Sequence, residues 1–332
     1  MNAVTQLDDF HLEEILSDYD VGGLLRYWPA VNGIENSNYF IKTEHREAAQ
    51  AGHSQEFVLT ILEQQPNAGA AYVPMMLALS KSGLPVAPPL ANNQGAYTQD
   101  VNGKAAMLQP RLRGQHVYNP TTKQVCALAR FIARMHLTIQ ASGIALPEYP
   151  RNAHWLNTYA AKAKAYVGFS DQTLLSDCVG KIDSLLGRSD VRSLPQGMIH
   201  ADLFRDNVLY NEYGLAGVLD FHHAAQGFWI YDLAVVANDW CNDGNGMLDP
   251  ERTTALLRAY HQIRPLKKEE LWFFSTFALY AALTFWLSRL NVSIDRRQNS
   301  QVRAKNPDEF KRIAAHHNSH SFYLDHRLLT TL

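Results

Sequence analysis

Four polar residues stand close together between Met198 and Asp220: His200, Asp202, Asn207 and Asp220. Their types suit phosphoryl transfer. One carboxylate would orient an attacking hydroxyl and take its proton, while an amide oxygen and a second carboxylate would hold a magnesium ion that neutralises a triphosphate. The spacing His-x-Asp-x-x-x-x-Asn is met by His200, Asp202 and Asn207. Asp202 is therefore the candidate base, with Asn207 and Asp220 as candidate metal ligands. An Asp in a turn is often only a local cap for backbone amides. The Asn in register and a second Asp closing a strand lift this set above that reading.

Apolar pairs flank these residues: Met198-Ile199, Val208-Leu209 and Val218-Leu219. They predict short buried strands whose ends carry the polar groups on loops. Upstream, an amphipathic helix is expected over 7–18, then strands over 24–31, 38–43 and 56–62. The Asn/Gly/Ser turn between the first two strands holds Asn36, Ser37 and Asn38, whose amides could lie against phosphates. A helix over 70–82 ends in the proline-stiffened 84–90 stretch, and a strand over 104–108 runs into Gln109-Pro110-Arg111-Leu112-Arg113-Gly114. There the pattern changes from short strands to long helices, expected at 121–137, 151–167, 172–187, from 229 onward, 250–262, 267–291 and 307–315. His136 lies on an apolar helix face and reads as a core histidine. Asp232, at a helix start, either caps that helix or braces the catalytic loop. The expected class is α+β with two lobes: an antiparallel-sheet lobe over 1–108, a link over 109–114, and a large, mainly helical lobe over 115–332.

At 332 residues, each lobe can bury a core. Thirty basic against thirty-two acidic side chains give a net charge of -2, so nothing argues for nucleic acid or a membrane as partner, and a small-molecule substrate is expected. Cys126, Cys178 and Cys241 have no CxxC spacing and read as buried thiols in a reducing compartment. The apolar run Leu271–Leu290 is interrupted by Ser275, Thr276, Thr284, Ser288 and Arg289, which suits a buried helix and not a membrane span. With no secretion signal at the N-terminus, the expected location is cytoplasmic. The pairs His222-His223 and His316-His317 with His320 invite a metal reading, but the tail cluster lacks nearby acids or cysteines at ligand spacing and reads as a solvated polar tail.

Several runs extend the picture over nearly the whole chain. Gly33-Ile34-Glu35-Asn36-Ser37-Asn38, Phe57-Val58-Leu59-Thr60, Leu108-Gln109-Pro110-Arg111-Leu112, the His200 to Leu209 loop, Asn238-Asp239-Trp240-Cys241 and Phe285-Trp286-Leu287-Ser288-Arg289-Leu290 together resemble the homoserine kinases built on the aminoglycoside/choline phosphotransferase fold. The resemblance implies a protein-kinase-like fold, ATP with Mg2+, and transfer of the γ-phosphoryl group to the hydroxyl of L-homoserine, a step towards threonine. It makes the Asn36 to Asn38 turn the phosphate cover, and puts Gln109 and Arg111 at the link that faces adenine. Thr60 stands where kinases usually carry a third-strand lysine, so another cation must neutralise phosphate; Lys42 and Arg205 are the candidates. The acceptor is a zwitterion and needs a cation for its carboxylate and an anion for its ammonium. Arg289 is the first choice for the carboxylate, with Arg205 as the alternative. Asp239 is the first choice for the ammonium, with Asp206 behind it. Competing readings are a choline, methylthioribose or aminoglycoside kinase, and a non-catalytic nucleotide-binding regulator.

Overall fold

The computed structural model describes residues 5–30, 36–44, 54–63, 69–298 and 305–322. Gly33, Ile34 and Glu35 of the expected phosphate turn lie outside them. The chain divides into two compact units, Met1–Arg113 and Gly114–Leu332.

The first unit opens with α1 (Asp9–Ser17), capped by the Asp8 carboxylate, which accepts from the His11 amide. Then follow β1 (Gly23–Pro29), β2 (Ser37–Glu44), β3 (Ser54–Ile61), α2 (Gly69–Lys81), β4 (Gln99–Val101) and β5 (Lys104–Pro110). The strands form one antiparallel sheet in the order β1-β2-β3-β5-β4. Strict alternation along β2 sorts its side chains onto two faces. Tyr39 and Ile41 turn inward with Phe57, Leu59 and Ile61 and pack with Leu12, Ile15 and Leu16 of α1 in one cluster. Asn38, Phe40 and Lys42 share the opposite face with their cross-strand neighbours Thr60, Val58 and Glu56.

The second unit is mainly helical. It contains α3 (Thr122–Ser142), α4 (Ala153–Lys164), α5 (Phe169–Gly187), α6 (Ser189–Arg192), β6 (Gln196–Ile199), β7 (Val208–Asn211), β8 (Gly214–Val218), β9 (Ala225–Phe228), α7 (Trp229–Trp240), α8 (Pro250–His261), α9 (Lys268–Gln298) and α10 (Asp308–Ser319). A capping box between Thr121 and Gln124 starts α3, and Gly143 ends it in the left-handed region. All of α7 except Asp239 is buried, which accounts for its near-continuous apolar sequence. By length and composition α9 could cross a membrane, yet most of its apolar stretch is buried inside the protein. The α+β expectation, with a sheet-bearing part followed by a mainly helical part, matches this architecture.

The first two apolar pairs lie in β6 and β7, as expected, and of the third pair Val218 ends β8 while Leu219 lies just past it. What the sequence reading did not anticipate is β9, which pairs with β6 rather than leaving it an edge. Gly197 and Gly227 face each other in that ladder. A Cβ on Gly227 would sit 2.5 Å from Ile199 Cδ1, and one on Gly197 would sit 2.6 Å from Trp229 Nε1. Only glycine lets the two strands and the Trp229 ring pack this closely.

Candidate active site

The loop between β6 and β7 carries His200, Asp202 and Asn207, and Asp220 follows β8. One buried carboxylate organises it. Asp232, fully buried in the first turn of α7, accepts the His200 amide at 2.8 Å, the Ala201 amide at 2.8 Å and His136 Nε2 at 3.0 Å. Ala201 needs that hold, since its φ of 66° is left-handed, a conformation a residue with a Cβ rarely adopts. Asp232 thus braces the loop, one of the two roles expected for it. His136 is the core histidine anticipated, its other ring nitrogen 2.9 Å from the Tyr260 hydroxyl.

His200 joins the two ends of the site. Its Nε2 donates to the Leu219 carbonyl at 2.9 Å, and its Nδ1 accepts from the Asp202 amide at 3.3 Å. These bonds select the neutral Nε2–H tautomer. Burial, by disfavouring the charged ring, pushes the pKa of His200 down to the same effect. The β8 end is also tied directly, because Leu219 N donates to the Asn207 carbonyl at 2.8 Å.

The amide nitrogen of Asn207 donates to Asp202 twice, to its carbonyl at 2.8 Å and to its carboxylate at 2.9 Å. That orients the candidate base. It also turns the Asn207 carbonyl oxygen away from Asp202, as a ligand to a hard cation requires. Asp220 is exposed and left-handed, with φ 59° and ψ 61°. An amide oxygen and a carboxylate are donors that fit Mg2+, which takes few protein ligands and completes its shell with phosphate and water. Among the described residues no group of three or more His, Cys, Asp or Glu converges on one point.

Asp202 itself is only partly exposed, and burial pushes its pKa up to about 7. The His223 charge works against that rise, Asp220 adds to it, Arg151 opposes it and Asp206 adds to it. A carboxyl titrating near neutrality is matched to general-base work. Periodicity and motif spacing gave no signal for Arg151, a lone arginine ahead of the Asn152 N-cap of α4.

Several of the expected site residues have partners within the protein. Arg205 forks onto both oxygens of Asp239, at 3.1 and 3.0 Å, and donates to the Tyr118 carbonyl at 2.6 Å. Asp239 also accepts the Arg205 amide. The two together tie the loop to α7. Arg289 bonds Glu309 at 2.6 Å and the Asn306 carbonyl, stacked over Phe310, so its charge is met by α10 and the turn before it. Asp206 pairs with Lys305 at the surface.

In the first unit the Ser37 hydroxyl is buried, accepting from the Thr5 amide and bonding Glu63, which also pairs with Lys104. Its side chain serves the fold. The Gln109 side chain is likewise spent, donating to the Ala87 carbonyl at 2.6 Å and to Tyr72. Asn38 accepts from Thr60 at 2.7 Å. Arg111 lies over the Trp28 and Phe40 rings and bonds Glu56, on the same sheet face as Lys42. Asn36 is half-buried at the edge of the described turn.

Buried histidines make stability pH-dependent. His317 donates to Asn238 at 2.8 Å, and burial pushes its pKa down to about 3; His136 and His200 are lowered by the same cause. The unfolded chain takes up these protons at about 6.5. Below that pH the unfolded state binds more protons, so stability is lost as pH falls, by at most about 1.4 kcal/mol per unit for each group. Asp202, held up near 7, and Asp239, also raised by burial, work the other way, since the fold then keeps a proton that the unfolded carboxylates lack. With three histidines against them, urea midpoints are expected to drop between 6.5 and 5; midpoints that rise over that range would show that the histidines do not dominate.

A model of the phosphotransferase enzyme family matches residues 27–266. The homoserine kinase of Methylobacillus flagellatus is 35% identical over 321 residues, covering 95% of each chain. That of Pseudomonas aeruginosa strain UCBPP-PA14 is 33% identical over 320 residues, covering 96% of this chain and 97% of its own. Among solved structures, amicoumacin kinase in complex with AMP-PNP and Ca2+ superposes with a TM-score of 0.64 at 17% identity, covering 95% of this chain and 94% of that one. That last likeness establishes a protein-kinase-like phosphotransferase fold. On the family match and the end-to-end similarity, the chain belongs to the phosphotransferase enzyme family and, within it, to the homoserine kinases.

Proposed function

We propose that this protein transfers the γ-phosphoryl group of ATP to the side-chain hydroxyl of L-homoserine, giving O-phospho-L-homoserine in the cytoplasm. The observation that carries the reading is the complete His200-Asp202-Asn207 loop, held by Asp232, in a chain similar from end to end to homoserine kinases. Asp202 accepts a hydrogen bond from the acceptor hydroxyl and takes its proton as the oxygen attacks phosphorus. Asn207 orients Asp202 and, with Asp220, would hold Mg2+. Bound there, the ion would neutralise charge on the triphosphate. Residues 1–108 supply nucleotide-binding groups, with Asn38 and Lys42 as candidates beside Arg111 of the 109–114 link; 115–332 carry the chemistry.

A coupled ADP-release assay over homoserine, choline, methylthioribose and kanamycin tests the acceptor. Homoserine should be preferred, and ADP release with another of these alone would overturn the assignment. Asp220→Ala is expected to weaken magnesium-dependent nucleotide binding about ten- to a hundredfold, by loss of an anionic ligand. Calorimetry with and without Mg2+ measures this; unchanged affinity would remove Asp220 from the metal site.

A further inference from the structure

The carboxylate that holds the catalytic loop is itself held. Asp232 shares its Oδ2 between the His200 amide at 2.8 Å and His136 Nε2 at 3.0 Å, while Oδ1 takes the Ala201 amide at 2.8 Å. Asp232 and His136 are both fully buried, so only protein groups can supply the donors that an ionised carboxylate needs there. His136 can serve only with its proton on Nε2. With the proton on Nδ1, a lone pair would face the carboxylate, and Oδ2 would keep one donor in place of two.

The Tyr260 hydroxyl of α8, also buried, stands 2.9 Å from His136 Nδ1. As a donor it satisfies that nitrogen in the one tautomer Asp232 can use. The ring is fixed from its face as well, since the Trp229 indole stacks on it with centres 5.2 Å and planes 7° apart. Behind both aromatic groups lies Arg264, its charge met by the two oxygens of Glu270 at 2.6 Å each. Its guanidinium is 4.8 Å from the Trp229 ring centre and 5.8 Å from that of Tyr260. A cation beside a phenol strengthens it as a donor, and the same cation opposes a second proton on a nearby imidazole. Burial pushes the His136 pKa down, Asp232 works against that, and the Arg264 charge adds to the lowering, so the ring stays neutral.

We infer that Tyr260 is a positioning residue for phosphoryl transfer: by donating to His136 Nδ1 it keeps the Nε2 proton on Asp232, and Asp232 in turn keeps Ala201 left-handed and Asp202 aimed. The inference rests on Asp202 being the base. It extends the support of the catalytic loop from α7 through His136 of α3 to α8.

Tyr260→Phe keeps the ring and removes the donor. Its kcat should fall about tenfold, the scale of losing a residue that orients another, with the homoserine and ATP KM values changed less than about threefold. Two readouts need no turnover. Nitrogen-15 spectra of the wild-type protein should show His136 neutral with its proton on Nε2. In Tyr260→Phe the amides of His200 and Ala201 should exchange with solvent about tenfold faster relative to those of α5, because their acceptor is less firmly held. His136→Gln, whose amide nitrogen reaches the place of Nε2, should keep about ten times the kcat of His136→Asn, whose amide reaches only that of Nδ1. An Nδ1–H or doubly protonated ring in the wild type overturns the inference. So does a Tyr260→Phe enzyme with lowered Tm and unchanged kcat, or one whose amides all exchange faster by the same factor, since Tyr260 would then be core packing alone. If Tyr260→Phe does not fold, the wild-type spectrum and the two His136 variants decide. If Asp202 proves not to be the base, the His136 tautomer and the exchange of the two amides still show whether Tyr260 holds the loop, so the two failures are told apart.

Discussion

Replacing Asp202 with Asn is expected to lower kcat by roughly 10² to 10⁴, the usual worth of a positioned base, with fold and ATP affinity nearly unchanged. The amide keeps the shape of the carboxylate, and its oxygen can still accept from Asn207, now 2.9 Å away. What it loses is the ability to take a proton. Because burial has pushed the Asp202 pKa up to about 7, the wild-type rate should rise with pH on an acid limb above the ordinary aspartate value of about 3.9. A bound cation would draw the limb down from 7, so it should fall between the two. The variant's residual rate should lack this limb. Steady-state kinetics from pH 5 to 9 on both proteins decides it: full turnover in Asp202→Asn, or the same limb in both, removes Asp202 from the base role.

Asp232→Ala should be the most damaging single change outside the reacting groups. Three donors converge on that carboxylate, the amides of His200 and Ala201 and the ring of His136, in a site with no solvent access. Each orphaned donor costs about 1–3 kcal/mol. Removing one partner of such a buried charged cluster typically costs about 3–5 kcal/mol in all. The left-handed turn at Ala201 loses its support as well, and Asp202 is the next residue. A fall in the urea midpoint together with a fall in kcat is therefore expected, whereas Asp202→Asn should lower kcat alone. Asp232→Asn, which keeps volume and one acceptor oxygen, should lie between. A stable, fully active Asp232→Ala would mean that the loop is held by its own hydrogen bonds.

The polar cluster was legible because its logic is local. His200, Asp202 and Asn207 fall within eight consecutive residues, and the apolar pairs beside them are real strands, so spacing alone put them on one loop. Helix and strand periodicities were legible for the same reason, most clearly in β2, whose alternation sorts Tyr39 and Ile41 from Asn38 and Lys42. The long apolar α9 could be read as a buried helix because its polar interruptions are spread along it. Elements without such a pattern were missed: β9 is four residues long, and its pairing with β6 depends on two glycines far apart in sequence.

Charge pairing was the part that sequence could not settle. An arginine can reach any acid that the fold brings within a few ångströms, and sequence separation says little about which one it meets. Arg289 finds Glu309 twenty residues on, Arg205 finds Asp239 thirty-four residues on, and Ser37 turns inward to Glu63 because strand alternation buries it. Arg151 carried no signal at all; its segment is held by Tyr280, Phe285 and, through Tyr149, Tyr231, all distant in sequence. The sequence by itself determined which residues can do the chemistry, since that depends on residue type and short spacing. Which charges meet each other was decided only by tertiary packing, because burial forces each ionised group to find a partner and the partners lie wherever the helices happen to cross.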